Sequence, residues 1–300
     1  MMAARQNYIY TGNPDEIPQT ATHIRIHESI KIIEDDPFFA HPSIIELFCH
    51  MGVIKILDLS FHSCPHLKRL VLPGVEEIDG ATFGECYELE YVECDKVEQI
   101  GEYTFQNCTS LGGVHLPSIK RIRMQAFDGC TAITDAKFGK DLERIDSWAF
   151  TGCRSLERIT LPLKRDLFND SVFAGCENLK HLDLVEGDIL RETIEALHLE
   201  SWRSDVNRRV QSINDELPFL SAGERLDEES NDENDGGDKA MHISIWIAAV
   251  LITIIDYKKE HRDLLNSATA ILQSVLPNDI VMNNVIPFLN LPLYKFDGED

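Results

Sequence analysis

A repeat of 22 to 23 residues constrains the fold of this 300-residue chain more than any other feature. Phenylalanines recur at this spacing, and each is followed three residues later by a cysteine. The phenylalanines are Phe61, Phe83, Phe105, Phe127, Phe150 and Phe173. The cysteines are Cys64, Cys86, Cys108, Cys130, Cys153 and Cys176. A fixed period of this length indicates a solenoid, in which each coil buries its apolar side chains against its neighbours.

Each repeat unit also predicts a short strand. Three residues after the cysteine stands an apolar residue, and an apolar pair separated by one residue follows it. Leu70 and Leu72 form one such pair, and Pro73 ends their strand because it has no N–H for a ladder. A second apolar pair, such as Val75 and Ile78, closes most units. This alternation predicts parallel strands that stack about 4.8 Å apart with these side chains inward.

The pattern extends toward the N-terminus. Phe39 lies 22 residues before Phe61 and takes the phenylalanine position of an earlier coil, with Pro42 at the cysteine position. The apolar positions of that coil are assigned to Ile45, Phe48, Val53 and Ile56. A partial first unit contains the pairs Ile24/Ile26 and Ile30/Ile33. We therefore expect about seven coils in a solenoid of residues 20–187, preceded by an N-terminal segment of residues 1–19.

The units resemble the BspA-like subclass of leucine-rich repeats. The similarity is carried by AFTGCRSLERITLP at residues 149–162 and VFAGCENLKHLDL at residues 172–184. With its C-terminal segment, the chain is also similar to the large diatom families of leucine-rich-repeat proteins. The resemblance implies an α/β leucine-rich-repeat solenoid with short parallel strands. It also implies a non-catalytic interaction scaffold, because this repeat class carries no catalytic residue.

The outward side chains of the strands form the candidate binding surface, here called the strand face. A solenoid presents such side chains as extended ladders. The predicted strand-face residues are Arg69, Val71, Tyr91, Glu93, His115, Asp135, Lys137, Arg158, Thr160, His181 and Asp183. Both charge signs mix here with tyrosine and histidine, which favours a protein or peptide partner over a uniform polyanion or a lipid. The alternative interpretation is a plain solvated face.

The apolar period changes after residue 187. Apolar residues three to five positions apart predict an amphipathic helix over residues 188–218. The acidic, glycine-containing residues 219–240 predict a disordered linker. A second apolar stripe predicts an α-helical C-terminal region over residues 241–300, and it includes Met241, Ile245, Ile252 and Ile255. We expect the two helices to form an antiparallel hairpin that either caps the solenoid or mediates self-association.

Two apolar segments bear on membrane contact and on an alternative function. The run at residues 243–255 is shorter than the roughly 20 residues that a membrane-spanning helix needs, so we expect a buried helix face and no membrane contact. Residues 276–289 resemble the start of an F-box, LPxDIVxxxIxxFL. A ubiquitin-ligase adaptor is therefore the alternative function. A short helix packed on the hairpin is the simpler interpretation.

Composition and motifs exclude several functions. The net charge of −23 has the wrong sign for a generic nucleic-acid binder. We expect no enzymatic activity, cofactor or metal, because GxSxG, HExxH, GxxxxGK[ST] and CxxC patterns are all absent from the sequence. The repeated cysteines are predicted to be buried, unreactive thiols. Because no apolar run of signal-peptide length stands at the N-terminus, we expect a cytoplasmic protein, with the nucleus as the other compartment.

Overall fold

The computed structural model describes residues 5–185, 194, 197, 199–220 and 239–275. The chain divides into two units. One comprises Met1–Val185 with Asn214–Ile245, and the other comprises Glu186–Ile213 with Trp246–Asp300. The solenoid belongs to the first unit.

The described part of the solenoid contains fifteen short strands. In chain order they are β1 (Asn7–Tyr10), β2 (His23–Ile26), β3 (Ile32–Ile33), β4 (Glu46–Phe48), β5 (Lys55–Ile56), β6 (Arg69–Val71), β7 (Glu77–Ile78), β8 (Tyr91–Glu93), β9 (Gln99–Ile100), β10 (Gly113–Leu116), β11 (Arg121–Ile122), β12 (Asp135–Phe138), β13 (Arg144–Ile145), β14 (Arg158–Leu161) and β15 (His181–Leu184). Short strands of this kind are what a coil of this length can accommodate between its turns.

All strand pairs are parallel, and the strands form three sheets. One five-stranded sheet has the order β1-β2-β4-β6-β8, and one four-stranded sheet has the order β10-β12-β14-β15. The two-residue strands form a six-stranded sheet, β3-β5-β7-β9-β11-β13. Paired residues come from equivalent positions of successive repeats, as in Arg69 with Tyr91 and Arg158 with His181. The predicted α/β solenoid of about seven coils is confirmed.

The repeated aromatic and cysteine side chains form two columns in the core. From Phe38 to Phe173, rings of successive coils stack with centroids 4.5 to 6.1 Å apart. Each of the six repeated thiols donates a hydrogen bond to a phenylalanine carbonyl of the preceding coil, at 3.0 to 3.2 Å. The thiols therefore satisfy buried backbone acceptors as well as filling space, which a purely apolar residue could not do.

The assignment of Phe39 to the aromatic column is wrong by one residue. Phe38 stacks on Phe61 and is 1% exposed, whereas Phe39 is 51% exposed and stacks on His62. The buried His41 takes the position assigned to Pro42. Two adjacent phenylalanines satisfy the repeat period equally well, so the choice between them rests on packing.

The same shift changes two of the other positions of that coil, whereas Val53 and Ile56 are buried as predicted. Ile44 and Leu47 are fully buried at the positions assigned to Ile45 and Phe48. Cys49, which had no place in the pattern, is also buried and lies two residues after Leu47. It fills the second inward position of its strand, as Leu72 does in the next coil.

The N-terminal segment is part of the solenoid. Strand β1 pairs in parallel with β2 and so adds a strand to the five-stranded sheet. Tyr10 is buried and packs edge-on against Phe38, with ring centroids 4.9 Å apart. Residues 5–19 therefore extend the core beyond the first coil that the sequence predicted.

The first C-terminal helix, α1, is shorter than predicted. It comprises Glu200–Glu216, and a 3-10 turn at Leu217–Phe219 follows it. Leu197 forms a bend and Leu199 lies outside the helix, so one helix over residues 188–218 is not formed. The step of five residues from Leu197 to Trp202 departs from the three-to-four spacing of a helical stripe, which explains the break.

The second C-terminal helix, α2, comprises Lys239–Val275. Its buried face is not the predicted one. The buried residues include Ala240, Ile243, Ile247, Val250 and Ile254. The exposed residues include four members of the predicted stripe, namely Met241, Ile245, Ile252 and Ile255. Residues 243–255 are apolar almost all round the helix, so periodicity cannot identify the face that packs.

In the second unit, helices α1 and α2 pack against each other. The Trp202 and Tyr257 rings stack with centroids 4.9 Å apart, and the Tyr257 hydroxyl donates to Asp205 at 3.0 Å. That hydrogen bond, followed by the effect of Arg209, lowers the pKa of Asp205. The Trp246 indole N–H donates to the Arg209 carbonyl at 2.6 Å. The contact of Asp205 on α1 is with Tyr257 on α2, and the contact of the later residue Arg209 is with the earlier residue Trp246. The two helices are therefore antiparallel, as predicted.

By length and composition, α2 could also cross a membrane. Its most apolar 18-residue window has a mean hydropathy of 1.8, and 33% of that window is buried. A core helix of a soluble protein passes the same test, so one such helix is weak evidence of a span.

The last strand of the solenoid is capped by residues of the first unit. The Asn214 side chain accepts from the Leu182 N–H at 2.7 Å and donates to the Leu182 carbonyl at 3.2 Å. The buried Lys239 ammonium donates to the carbonyls of Cys176, Glu177 and Leu179 at 2.8 to 3.2 Å. These bonds satisfy backbone groups that a solenoid end would leave open.

Most of the predicted linker and the F-box-like segment at residues 276–289 lie outside the described residues.

Candidate binding face

The predicted strand-face residues fall into two columns set by strand register. One column contains Arg69, Tyr91, Asp135, Arg158 and His181. The other contains Val71, Glu93, His115, Lys137, Thr160 and Asp183. Within each sheet, neighbours in a column come from successive coils, because the strands are parallel and pair at equivalent positions. Side chains distant in sequence thereby form one surface.

Val71 does not belong to the exposed surface that was predicted. It is 6% exposed and forms part of the floor of a cavity on the strand face. Its register neighbours, Phe48 and Glu93, carry larger side chains on both flanking strands. A short valine between them is shielded from water even though it occupies an outward position.

Sequence reasoning missed the first three strands of this face. Strands β1, β2 and β4 add Asn7, Ile9, His23, Arg25, Glu46 and Phe48 to the two columns. Phe48 was missed because the register slip in its coil assigned it to the core. Stepping one repeat length back from Arg69 to Glu46, and again to His23, would have found the column.

The strand face is divided between β8 and β10. In the described part of the chain no ladder joins these two strands, whereas β9 in the six-stranded sheet pairs with both β7 and β11. Gly112 and Gly113 stand at the division, where other coils carry side chains. Glycine weakens a strand because it gains no side-chain packing and loses more backbone entropy on ordering.

The part of the face on the five-stranded sheet carries exposed aromatic and arginine side chains. The Arg25 guanidinium lies 5.5 Å from the Phe48 ring centroid, and that of Arg69 lies 5.1 Å from the Tyr91 centroid. Phe48, Tyr91 and the nearby Met51 are exposed. Stacking of this kind orders the long arginine side chains and leaves their N–H groups at the surface.

One carboxylate, that of Glu46, lies near two arginines and a histidine on this part of the face. Glu46 lies 3.7 Å from Arg5, 3.7 Å from His23 and 3.5 Å from Arg69. Burial, and then the neighbouring Arg5 charge, lowers the pKa of His23 despite the proximity of Glu46. His23 is therefore neutral at physiological pH, and the positive charge comes from the arginines.

On the four-stranded sheet, charged side chains of the strand face pair with one another. Arg158 and Asp183 form a 2.6 Å ion pair across β14 and β15. Lys137 and Asp135 lie 3.5 Å apart on β12. Each of these four residues therefore has an opposite charge within reach on its own or the adjacent strand, and the surface offers little net charge to a partner.

The cysteines are unsuited to nucleophilic or metal chemistry. All eight are free and buried, and burial raises the pKa of Cys64 and Cys94 to about 12. A thiol with such a pKa remains protonated at neutral pH, and the thiolate is the reactive form. Among the residues that the structure describes, no cluster of histidine, cysteine, aspartate and glutamate could hold a metal ion.

Solved structures with similarity to this chain are bacterial leucine-rich repeat proteins. A Treponema pallidum leucine-rich repeat protein is 25% identical, with a TM-score of 0.48, over 65% of this chain and 85% of its own. A Bacteroides ovatus leucine-rich repeat protein is 21% identical, with a TM-score of 0.37, over 55% of each chain. The pneumococcal vaccine antigen PcpA is 18% identical, with a TM-score of 0.31, over 61% of this chain and 67% of its own. No curated protein matches the chain.

The repeat itself identifies the family. The BspA type leucine rich repeat region matches in six copies, over residues 19–112 and 77–195, which together are more than half of the chain. Leucine-rich repeat proteins generally serve as protein-interaction scaffolds and are typically non-catalytic. With its parallel coils and its columns of phenylalanine and cysteine, the chain belongs to the BspA-type leucine-rich repeat family.

Proposed function

We propose that this protein is a non-catalytic scaffold whose strand face binds a protein or peptide partner. The observation that carries the proposal is the set of exposed Phe48, Met51 and Tyr91 side chains beside Arg25 and Arg69. Aromatic residues, methionine and arginine are enriched at the energetic centres of protein interfaces. Their rigid support by a continuous five-stranded sheet lowers the entropy that a partner must remove on binding.

Capture of partners with paired variants tests the role of the face. The double variant Phe48→Ala/Tyr91→Ala removes the aromatic side chains, and Lys137→Ala/Thr160→Ala is the matched change on the four-stranded sheet. Affinity purification of the full chain from its native cell, followed by mass spectrometry, measures the partners. We expect the first variant to lose a partner that the second retains. Retention of every partner by both variants would contradict binding through this face.

The absence of catalysis is part of the same proposal. It is supported by the raised pKa of the buried Cys64 and Cys94 thiols, which keeps these two groups protonated. It is also supported by the separation of the strand-face histidines His23, His115 and His181 onto different strands. A screen of the full chain with generic ester and phosphate substrates tests this statement, and turnover above that of buffer would overturn it.

Self-association through the C-terminal helices is a second element of the proposal. The exposed stripe of α2 includes Met241, Ile245, Ile252 and Ile255, and no charged residue occurs within residues 243–255. A second copy of the same stripe is a complementary apolar surface. Sedimentation of the full chain should show a dimer, and Ile245→Glu/Ile252→Glu should shift it to monomer. A monomeric unaltered chain at high concentration would rule out this element.

The cytoplasmic location is likewise proposed, with the nucleus as the other compartment. It is supported by eight cysteines that are all free, since oxidising compartments favour disulfides. A fluorescent fusion in the native cell tests it directly, and signal outside the cytoplasm and nucleus would overturn it.

A further inference from the structure

A cavity of about 540 Å³ opens on the part of the strand face that the five-stranded sheet carries. We call it the arginine basin, defined by Arg5, Arg25, Phe48, Met51, Arg69 and Val71. The basin occupies outward positions of β2, β4 and β6, so most of its side chains are held by parallel ladders rather than by loops. The backbone positions of these strand residues are therefore fixed before any partner arrives.

The three guanidinium groups of the basin are incompletely paired. Glu46 is the carboxylate shared by Arg5 and Arg69, at 3.7 and 3.5 Å. Charge-assisted N–H···O bonds are shorter, about 2.7 to 2.9 Å, so neither contact uses the full donor capacity of an arginine. Among the described residues, Arg25 forms no ion pair and instead stacks on Phe48. Most of the guanidinium N–H donors thus remain open to a ligand.

The charge of the basin differs from that of the domain around it. Residues 1–185 hold 28 acidic and 18 basic side chains. In the basin, Arg5, Arg25 and Arg69 face only Glu46 and Glu93 as carboxylates. At physiological ionic strength, salt screens interactions between exposed charges that are more than about 8 Å apart. The adjacent guanidiniums therefore act more strongly on a bound ligand than the acidic residues elsewhere in the domain, and they favour a negative ligand.

Apolar surface lies directly beside these donors. Val71 forms a buried floor, while Phe48 and Met51 are 41% and 58% exposed. An exposed aromatic ring and thioether next to a shielded floor can pack an aliphatic or aromatic side chain. The basin thus combines anion-binding donors with an apolar seat.

We propose that the arginine basin binds an acidic peptide segment in which carboxylate side chains flank an apolar residue. This rests on the proposed function, because it names the chemistry of the partner for the same face. The carboxylates take the fork-shaped donors of Arg25 and Arg69, and the apolar side chain packs on Phe48 above Val71. Two strand steps of about 4.8 Å, roughly 10 Å together, separate β2 from β6, and carboxylates three residues apart in a polyproline II segment have about this spacing and face the same side.

Peptide binding by the full chain tests the acidic requirement. The probe is a fluorescein-labelled octapeptide of sequence Glu-Leu-Pro-Glu-Leu-Pro-Glu-Leu, which places its glutamates three residues apart, and its binding is measured by fluorescence polarisation. Its matched control replaces each glutamate with glutamine. We expect the glutamine peptide to bind about tenfold more weakly or worse, because each carboxylate that pairs with an arginine adds a charge-assisted bond. This comparison uses the unaltered protein and does not depend on the folding of a variant.

Variants then locate the site. Arg25→Gln/Arg69→Gln should weaken binding of the glutamate peptide about tenfold or more, and Phe48→Ala should weaken it by about threefold or more. The control Lys137→Gln/Arg158→Gln, on the four-stranded sheet, should leave the dissociation constant within about twofold. Thermal unfolding of each variant verifies its fold.

Several results would overturn the proposal. They are equal affinity for the two peptides, no binding by the unaltered chain up to about 1 mM peptide, or equal binding by the basin variant and its control. Partner capture distinguishes a failure of the acidic-peptide proposal from a failure of the proposed scaffold function. If Phe48→Ala/Tyr91→Ala loses a cellular partner that Arg25→Gln/Arg69→Gln retains, the face binds proteins but the acidic ligand is wrong. If neither variant loses a partner, both statements fail.

Discussion

The two parts of the strand face have the same backbone and different chemistry. On the five-stranded sheet, Arg25 and Arg69 stack on exposed aromatic rings, and Glu46 lies 3.5 Å from Arg69. On the four-stranded sheet, Arg158 and Asp183 neutralise each other at 2.6 Å. The inward positions are constrained by the columns of the core, whereas the outward ones are free to vary. Binding chemistry can therefore differ between parts of one repeat domain without any change of fold.

The division between the two parts is confined to the surface. Strands β8 and β10 are not joined, yet the Phe83 and Phe105 rings stack across the same position at 5.5 Å. Strand β9 continues the six-stranded sheet through it. One hydrophobic core thus supports two separate surfaces.

The largest effect is expected from the aromatic column. Phe83→Ala and Phe150→Ala remove fully buried rings from coils on opposite sides of the division. Each should lower the free energy of unfolding by about 3 to 5 kcal/mol, because a large cavity replaces the ring. Urea unfolding followed by circular dichroism measures both. Equal losses of unfolding free energy, each in a single transition, would show that the core is continuous across the division. A variant that unfolds in two steps would contradict a single core.

Acid should destabilise the N-terminal end of the solenoid, by less than the aromatic substitutions. Burial lowers the pKa of His41 below its usual value of 6.5. Below about pH 6.5 the unfolded chain therefore binds more protons at this site than the folded chain. The stability that neutral His41 provides is complete above that pH and is lost as the pH falls.

His41→Cys tests this acid sensitivity, since cysteine is the residue of the other coils at this position. Urea unfolding between about pH 7 and pH 5 should show a shallower loss of stability for the variant than for the unaltered chain. Identical slopes would contradict the assignment to His41.

Closing the division should stabilise the fold slightly. Gly113→Thr supplies a β-branched side chain, and the added Cβ would lie 3.5 Å from the Asp135 carbonyl oxygen, an ordinary contact. The free energy of unfolding should rise by about 0.5 to 1 kcal/mol, because glycine in a strand is costly. The matched control is Gly139→Ala, whose Cβ would collide with the Pro117 carbonyl oxygen and should destabilise. A loss of stability in Gly113→Thr would show that the gap is structurally required.

The smallest effect is expected from the ion pair of the four-stranded sheet. Asp183→Asn breaks the contact with Arg158, and the Arg158 and Asp183 side chains are 43% and 44% exposed. The loss should be about 0.5 kcal/mol or less and should vanish in about 1 M salt, since exposed pairs are weak and screened. Asp141→Asn, an exposed change elsewhere on the solenoid, is the control for thermal unfolding. A loss above about 2 kcal/mol would mean that this surface contributes to stability as the core does.

Much of the fold could be predicted from the repeat. Leu70, Leu72 and Ile78 are inward as their period requires, and Cys94 is buried at an inward strand position. These positions follow from the sequence because identical chemistry recurs at a fixed spacing and only stacked coils can bury it. The candidate site was partly predicted, since Arg69 and Tyr91 lie side by side in the ladder. Phe48 was not, because its coil was read one residue out of register, and neither was Arg25, because no strand-face position was assigned to the partial first unit.

What the sequence by itself determined is the period, the inward positions and the family. The tertiary structure decided between Phe38 and Phe39, between two apolar faces of α2, and whether β8 joins β10. In each of these cases the local pattern permits two arrangements of nearly equal hydrophobicity. Packing selects one, because a ring, a helix face or a strand edge is buried only where a neighbour from another coil or helix fits it.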